Sequence, residues 1–186
     1  MSASTSFVIR DGLESDLAAC RAVDHSYTTE HVWQMSVREE AGQWDVSFKT
    51  ERLPRMMEAS YPFDEKRLRL SLPKDQCFLV AVRREQPEVL GYLAMHSDPV
   101  YGIARVIDLV VSRPYRQQRI ATRLLNIARQ WAREHHLAQM MIEIQTKNYP
   151  GIQFCQQRGF TFCGFNDQYF PNQDIAVFFG QSLPQV

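Results

Sequence analysis

An apolar stripe with helical spacing follows directly on three strand-like runs, and this change of period constrains the fold more than any other feature. Ile120, Leu124, Ile127, Ala128 and Trp131 fall at i, i+4, i+7, i+8 and i+11, one face of an amphipathic helix over Gln117 to His135. Ahead of it, Cys77–Arg83, Val89–His96 and Ala104–Val111 are apolar runs, separated by a turn at Glu85–Glu88 and a loop holding Asp98-Pro99. Three such runs in succession predict an antiparallel meander. Behind the stripe, Met140–Gln145 reads as a strand. Tyr149–Arg158 reads as a short helix stopped by Gly159. Thr161–Phe165 and Ile175–Phe179 read as further strands. The second half is therefore β-α-β-α-β-β, and the whole is an α/β chain with a mixed sheet.

The first third is less regular. Phe7–Arg10 predicts a strand turned by Asp11-Gly12. A helix follows from Glu14 to about Asp24, with Leu17, Cys20, Ala22 and Val23 facing inward. Val32–Val37 and Trp44–Phe48 alternate apolar and polar around Ala41-Gly42-Gln43, which predicts a hairpin. Pro54 and Pro62 interrupt the stretch from Leu53 to Leu72. It reads as an irregular loop with a short helix near Asp64–Leu70, either a binding-site wall or a surface connection. No repeat or linker divides residues 1–186, so a single domain is expected.

Composition excludes several classes of function. At 45% hydrophobic and 23% charged the chain can build a core. Twenty-one Lys+Arg balance twenty-one Asp+Glu, so the basic excess of a nucleic-acid binder is missing. No stretch approaches the ~20 apolar residues of a membrane span. The opening run Met1 to Arg10 lacks a leader pattern. Cys20, Cys77, Cys155 and Cys163 have no Cys-x-x-Cys spacing, and the five histidines complete no zinc pattern. Free thiols in a reducing cytoplasm, and no metal, are the expectation. A disulfide between distant cysteines stays open.

The chemistry-bearing stretch is Val110-Val-Ser-Arg-Pro-Tyr-Arg-Gln-Gln-Arg-Ile-Ala-Thr-Arg-Leu-Leu125. A strand runs into a short loop, and the loop opens a helix. The first helical turn has unpaired N–H groups and the positive end of the macrodipole, which suits a diphosphate. Arg116 and Arg119 add positive charge. On spacing alone, a plain strand-to-helix turn with solvated arginines is equally consistent.

Arg116-Gln117-Gln118-Arg119-Ile120-Ala121 resembles the acetyl-CoA loop of the GNAT family of N-acetyltransferases, Arg/Gln-x-x-Gly-x-Gly/Ala. Glu143-Ile-Gln145, Asn148, Phe154 and Gly159-Phe160 fall where that family has a strand, a CoA-contacting asparagine and its Phe-Tyr-x-x-x-Gly-Phe signature. Within the family the chain is most like the streptothricin acetyltransferases. The shared features are Asp108 to Val111, the Glu-x-Gln-x-x-Asn pattern, a segment like Gly164 to Asp167 and a hairpin like that at residues 32–48. The resemblance is strong from about Val106 to Phe179 and weak before Cys77. It implies the acyl-CoA N-acyltransferase fold, a central, mostly antiparallel sheet of about six to seven strands flanked by helices. It implies acetyl-CoA as cosubstrate, held by Leu109, Val110, Val111, Arg116, Gln117, Gln118, Arg119, Ile120, Ala121, Thr122 and Asn148. The implied reaction is direct transfer of acetyl to a primary amine of a small molecule, aminoglycoside-like or streptothricin-like. A protein or peptide N-acetyltransferase and a non-catalytic CoA-binding module are the alternatives.

Two residues depart from the family pattern. Arg119 replaces the middle glycine. A negative φ would let arginine take that place, whereas a positive φ would weaken diphosphate binding. Cys155 stands where the family commonly has a tyrosine that protonates the departing thiolate. Its reference pKa, about 8.5 against about 10, permits that role. A buried structural thiol, with water as the acid, is the competing view.

Asp108, Glu143 and Cys155 are thus the candidate catalytic residues, the carboxylates as base or as ammonium ligands. Either carboxylate is equally readable as a strand-end charge paired to an arginine. Asp167 sits where the streptothricin-type enzymes have an acid near the substrate. Tyr149, Tyr169, Trp33 and Trp44 are candidate pocket walls. Glu39, Glu40, Asp45 and Glu51 would suit a polycationic amine if they lined a cleft, but charge runs are usually solvated faces. His135 and His136 read as a helix C-cap, while His25, His31 and His96 have no partner evident from sequence. Met56-Met57 and Met140-Met141 read as packing. The terminal strands and the hairpin offer sheet edges through which a homodimer would form.

Overall fold

The computed structural model describes residues 6–184 apart from Pro87. Residues 1–5, within the opening run read for a leader, and Pro87 of the Glu85–Glu88 turn lie outside the described residues. The order is β1 (Phe7–Asp11), a 3-10 turn (Glu14–Asp16), α1 (Leu17–Ala22), β2 (Ser26–Glu40), β3 (Gln43–Ser60), α2 (Glu65–Arg69), β4 (Cys77–Arg83), β5 (Val89–Asp98) and β6 (Ile103–Val111). A second 3-10 turn (Arg113–Tyr115) leads to α3 (Ile120–Glu134), β7 (Gln139–Gln145), α4 (Tyr149–Gln157), β8 (Thr161–Asn166) and β9 (Ala176–Ser182). Seven strands form one sheet in the order β1-β4-β5-β6-β7-β9-β8, and β2 with β3 forms a separate two-stranded sheet. Neighbours from β1 through β6 run antiparallel, while β6 and β7 run parallel. This is the expected mixed, mostly antiparallel sheet with helices. The chain divides into two compact units: residues 1–25, 63–143 and 180–186, and residues 26–62 and 144–179.

In the first unit α3 buries Ile120, Leu124, Leu125, Ala128 and Ala132. The inner line therefore includes Leu125 and Ala132 and leaves out Ile127, which is 39% exposed beside Phe7 and Ile9. Trp131 is half-buried and stacks on His135 at 3.7 Å; a ring nitrogen of His135 lies 2.8 Å from the Trp131 carbonyl at the helix end. β5 and β6 approach closely at Gly91, which pairs with Val111; a Cβ there would lie 2.5 Å from the Val110 carbonyl oxygen. Ser112 N–H donates to the Leu90 carbonyl at 2.8 Å and fixes where β6 ends. At the start of the unit, Arg10 holds Asp16 through two bonds of 2.7 and 2.8 Å. That guanidinium holds the Asp16 carboxyl below its ordinary value.

In the second unit the hairpin is longer than its alternating pattern predicts, with strands of 15 and 18 residues. Ala41 and Gly42 both have positive φ, 51° and 81°, as a two-residue hairpin turn of primed type requires. The stretch from Leu53 to Ser60 is strand, not irregular loop. The register passes from Thr29↔Met57 to His31↔Arg52, so Pro54 sits in a bulge where no ladder N–H is needed. The helix expected near Asp64–Leu70 is present as α2, capped by the Asp64 carboxylate accepting from Lys66 N–H. Met140 is fully buried as expected, but Met56 is 66% exposed. All four cysteines are free thiols.

Gly91→Ala should destabilise the protein by about 1–3 kcal/mol, because the added methyl meets rigid backbone rather than a movable side chain. Thermal unfolding followed by circular dichroism checks this.

Candidate functional site

The strand, loop and helix picked out by sequence lie together in the first unit. Asp108, Leu109, Val110 and Val111 pair with Ala94, Leu93, Tyr92 and Gly91 of β5. On the other side of β6, the described ladder to β7 runs from Ile103↔Gln139 to Val106↔Ile142. The part of β6 carrying Asp108 to Val111 lies beyond that ladder. The loop then turns at Arg113–Tyr115 and passes through two left-handed residues, Gln117 at φ 63° and Arg119 at φ 64°. Arg119 is the N-cap of α3 and makes no side-chain cap, so no cap from it covers the first-turn N–H groups of Ile120, Ala121 and Thr122. The family's glycine is explained: this position has positive φ. The negative φ under which arginine would take this place freely is not what the structure has: Arg119 adopts the left-handed backbone at a strain of about 1–2 kcal/mol, and its Cβ forfeits the close approach glycine allows.

The two arginines divide the work. Arg116 is half-buried; its Nε donates to the Val111 carbonyl at 2.9 Å and its Nη2 to the Asp24 carbonyl at 3.3 Å. Arg116 thus struts the loop from inside. Burial lowers its guanidinium pKa, Asp24 opposes that, and Arg113 adds to it. Arg119 is exposed at the mouth of α3, and Arg113 is exposed earlier in the loop. Gln118 folds back with Nε2 donating to the Pro114 carbonyl at 3.4 Å. The loop is braced from below by Tyr115, whose hydroxyl donates to Glu88 at 3.0 Å and receives a bond from Arg83.

Both candidate carboxylates are buried. Glu143 has no exposed side-chain surface and pairs with Arg67 of α2. His96, opposite Arg105 on the β5–β6 ladder, has its pKa lowered first by burial and then by Arg67 and Arg105. Asp108 is 3% exposed on the face that carries Tyr92. The Tyr92 hydroxyl lies 2.9 Å from His25 Nε2. Burial raises the Tyr92 phenol pKa, and the Asp108 charge adds to it. Burial pushes the Cys20 thiol up to about 12, with Asp16 and Asp108 contributing. Sequence reasoning missed Arg67, Tyr92 and His25. Only Tyr92 left a signal: a tyrosine inside an apolar strand needs a partner for its hydroxyl.

The remaining candidates belong to the second unit. Asn148 caps α4, its Oδ1 accepting from Gly151 N–H at 3.0 Å, which leaves the amide NH2 as its donor end. Gly151 is needed for that cap, since a Cβ would lie 2.9 Å from the Asn148 side chain. Cys155 is buried on α4 together with Ile152. Gln145 donates to the buried Asp174, which Lys147 and Asn172 also hold. Tyr149 lies 5.3 Å from His31. Trp33 packs with Phe48, Phe162 and Phe179, whereas Trp44 is 63% exposed. Tyr169 packs edge-on against Phe170 and Phe178, and Asp167 is exposed. The hairpin acids do not cluster: Asp45 faces Arg38 across the ladder, Lys49 pairs with Glu51, and Glu39 and Glu40 flank the turn.

Two outcomes follow for the isolated protein. Asn148→Ala should cost about 1 kcal/mol through loss of the helix cap, read as a lower urea midpoint. Stability should also fall as pH drops below about 6.5, the ordinary histidine value. His25 and His96 have lowered pKa values in the fold, so the unfolded chain binds protons first. Their contribution is complete above about pH 6.5 and disappears as pH falls through the folded values. Urea unfolding of the protein and of His96→Gln across pH 5 to 8 checks the sign.

A model of the acetyltransferase (GNAT) family matches residues 39–160. Streptothricin acetyltransferase A of Bacillus subtilis (strain 168) is 30% identical over 81 residues, covering 41% of this chain and 47% of that protein. That alignment spans about half the length of the curated relative. The crystal structure of nourseothricin acetyltransferase superposes with a TM-score of 0.83 at 20% identity, covering 97% of this chain and 100% of that one. A structure from Bacillus anthracis str. Ames, assigned as a streptothricin acetyltransferase and bound to acetyl coenzyme A, gives 0.77 at 22% identity, with 96% and 99% covered. At these identities the superpositions establish the fold. With two thirds of the chain matched by the family model, the chain belongs to the acetyltransferase (GNAT) family.

Proposed function

We propose that this protein transfers the acetyl group of acetyl-CoA to a primary amine of a small molecule of streptothricin type. The observation that carries the proposal is the left-handed turn at Gln117 and Arg119, which opens α3 without a side-chain cap. Helix N–H groups, the macrodipole and the exposed Arg119 then favour a diphosphate. The substrate class is supported by the Bacillus subtilis relative and by the nourseothricin acetyltransferase likeness.

The first unit's strand and loop residues fit acetyl-CoA as a set. Gln117 to Thr122 would hold its diphosphate, and the backbone of Leu109, Val110 and Val111 its pantetheine arm. Asn148 offers its amide donor. The thioester supplies an activated acyl carbon. The protein must remove a proton from the ammonium group and offer a donor to the developing oxyanion. The Val110 backbone N–H is assigned the second task and Asp108 the first. Glu143 is held by Arg67 and is assigned to positioning. Cys155 is buried beside Ile152, so in this proposal it packs α4 and water protonates the departing thiolate.

Titration calorimetry with acetyl-CoA, on protein freed of copurified CoA, should give micromolar or tighter binding. Arg119→Ala should weaken it several-fold, with a smaller salt dependence. With streptothricin as acceptor, Asp108→Asn should lower kcat by about 10²-fold or more while acetyl-CoA affinity stays the same. Absent binding, or unchanged turnover in Asp108→Asn, overturns the proposal. Peptide amines accepted in place of streptothricin would move the substrate to the protein class.

A further inference from the structure

Tyr92 is fully buried on β5, yet its hydroxyl has a specific partner, His25 Nε2 at 2.9 Å. His25 follows α1, lies 4.8 Å from the ring of Phe63 and is only half-buried, so the imidazole connects an interior hydroxyl to the surface. On the adjoining strand Val110 stands opposite Tyr92 and Asp108 opposite Ala94. Residues paired across a ladder share a face, and so do alternate residues along a strand. Tyr92 and Asp108 are therefore diagonal neighbours on one face, a separation that aromatic side chains span. The loop joins in from the other end, since Arg116 holds the carbonyl of Asp24, the residue before His25.

We propose that Tyr92 and His25 are positioning residues for acetyl transfer, which act through Asp108 and carry its proton to solvent. This rests on the assignment of Asp108 as the base. The amine N–H bond breaks and an O–H bond forms on the Asp108 carboxylate. The carboxyl, directly or through one water, then gives that proton to Tyr92 Oη as the Tyr92 hydroxyl proton moves to His25 Nε2. The half-buried imidazolium exchanges its Val23 bond for water and loses the Nδ1 proton to it; solvent then returns the Nε2 proton to Nδ1, the Tyr92 hydroxyl rotates back toward Nε2, and Asp108 is again a carboxylate. One proton leaves the amine and one reaches solvent.

The surroundings suit this traffic. The charged and titratable groups facing the pair are Asp24 on its own turn, Arg116 from the loop, Asp108 from β6 and Cys20 from α1. Burial lowers the imidazole pKa and Arg116 lowers it further; a hydrogen bond to the Val23 backbone and the Asp24 charge oppose them. A proton reaching His25 at neutral pH is therefore released. The Val23 bond occupies one ring nitrogen and leaves Nε2 to accept from Tyr92. The raised phenol pKa keeps Tyr92 protonated, so it passes protons without holding a charge. Cys20, pushed up to about 12, stays a neutral thiol and does not compete.

Two measurements test the relay. Nitrogen-15 NMR of the histidine rings should show the His25 titration midpoint and Nε2 shift moving in Asp108→Asn and in Tyr92→Phe, without any substrate present. In turnover of streptothricin with acetyl-CoA, Tyr92→Phe and His25→Ala should each lower kcat about 10-fold or more with an unchanged KM for acetyl-CoA. The low-pH limb of kcat set by His25 should vanish in His25→Ala, and added imidazole should restore part of the rate. Should Tyr92→Phe fail to fold, the half-buried His25 variant decides. If Asp108→Asn lowers kcat while Tyr92→Phe and His25→Ala leave kcat and its pH profile unchanged, the relay is overturned and the assigned function stands. If Asp108→Asn leaves kcat unchanged, the base assignment falls, and a His25 resonance unmoved in Asp108→Asn overturns the coupling on its own.

Discussion

The left-handed turn through Gln117 and Arg119 is the constraint on which the candidate site depends. A strand ending at Val111 can enter a helix at Ile120 with its N–H groups turned outward only if the chain reverses sharply between them. The reversal places two side-chain-bearing residues where glycine is preferred, at about 1–2 kcal/mol each. Neighbouring interactions hold the turn in place. Ser112 ties the end of β6 to Leu90, Arg116 ties the loop to Val111 and Asp24, and Tyr115 ties it to Glu88. On the far side α3 is anchored by Ile120, Leu124 and Leu125, all essentially inaccessible. Burial of each such side chain contributes about 1.5–3 kcal/mol, enough to outweigh the strain.

The first unit buries two candidate carboxylates, Asp108 on β6 and Glu143 on β7. Glu143 is given a full opposite charge, Arg67, and so is fixed as an anion in a fixed direction. The Asp108 charge acts on the Tyr92 phenol and the Cys20 thiol, and Tyr92 in turn meets the His25 imidazole. The proposed division of roles, Asp108 as base and Glu143 as a positioning group, follows this difference in surroundings.

Most of the architecture was legible in the sequence because periodicity reports burial directly. The meander, the long helix and the terminal strands follow from runs of two kinds of spacing, and they appear within a few residues of their expected bounds. β3 was not legible beyond Pro54, because proline is a breaker in a regular ladder and only the bulge opposite Glu30 accommodates it. The inward line of α3 shifted from Ile127 and Trp131 to Leu125 and Ala132 because the buried face of this helix is wide. The loop motif was legible as a whole, but the separate tasks of Arg116 and Arg119 were not. A side chain's choice between internal carbonyls and solvent depends on the Asp24 turn, far away in sequence. Arg67 with Glu143 and His25 with Tyr92 are separated by 76 and 67 residues, and no local pattern announces such pairs.

Arg119 shows how a local rule can be broken at a site without loss of the fold. Restoring glycine there would remove steric strain of about 1–2 kcal/mol, but it would also return about 0.4–1 kcal/mol of chain entropy to the unfolded state. The net gain in stability is small, so stability exerts little pressure on this position. The electrostatic difference is larger in consequence. Glycine offers close approach and no charge, whereas arginine offers a charge on a flexible stem at the mouth of an uncapped helix. With Arg116 committed to the interior, Arg119, as the N-cap of α3, sets an exposed charge at the helix N-terminus. The substitution exchanges backbone proximity for charge, and the left-handed backbone at this position is kept.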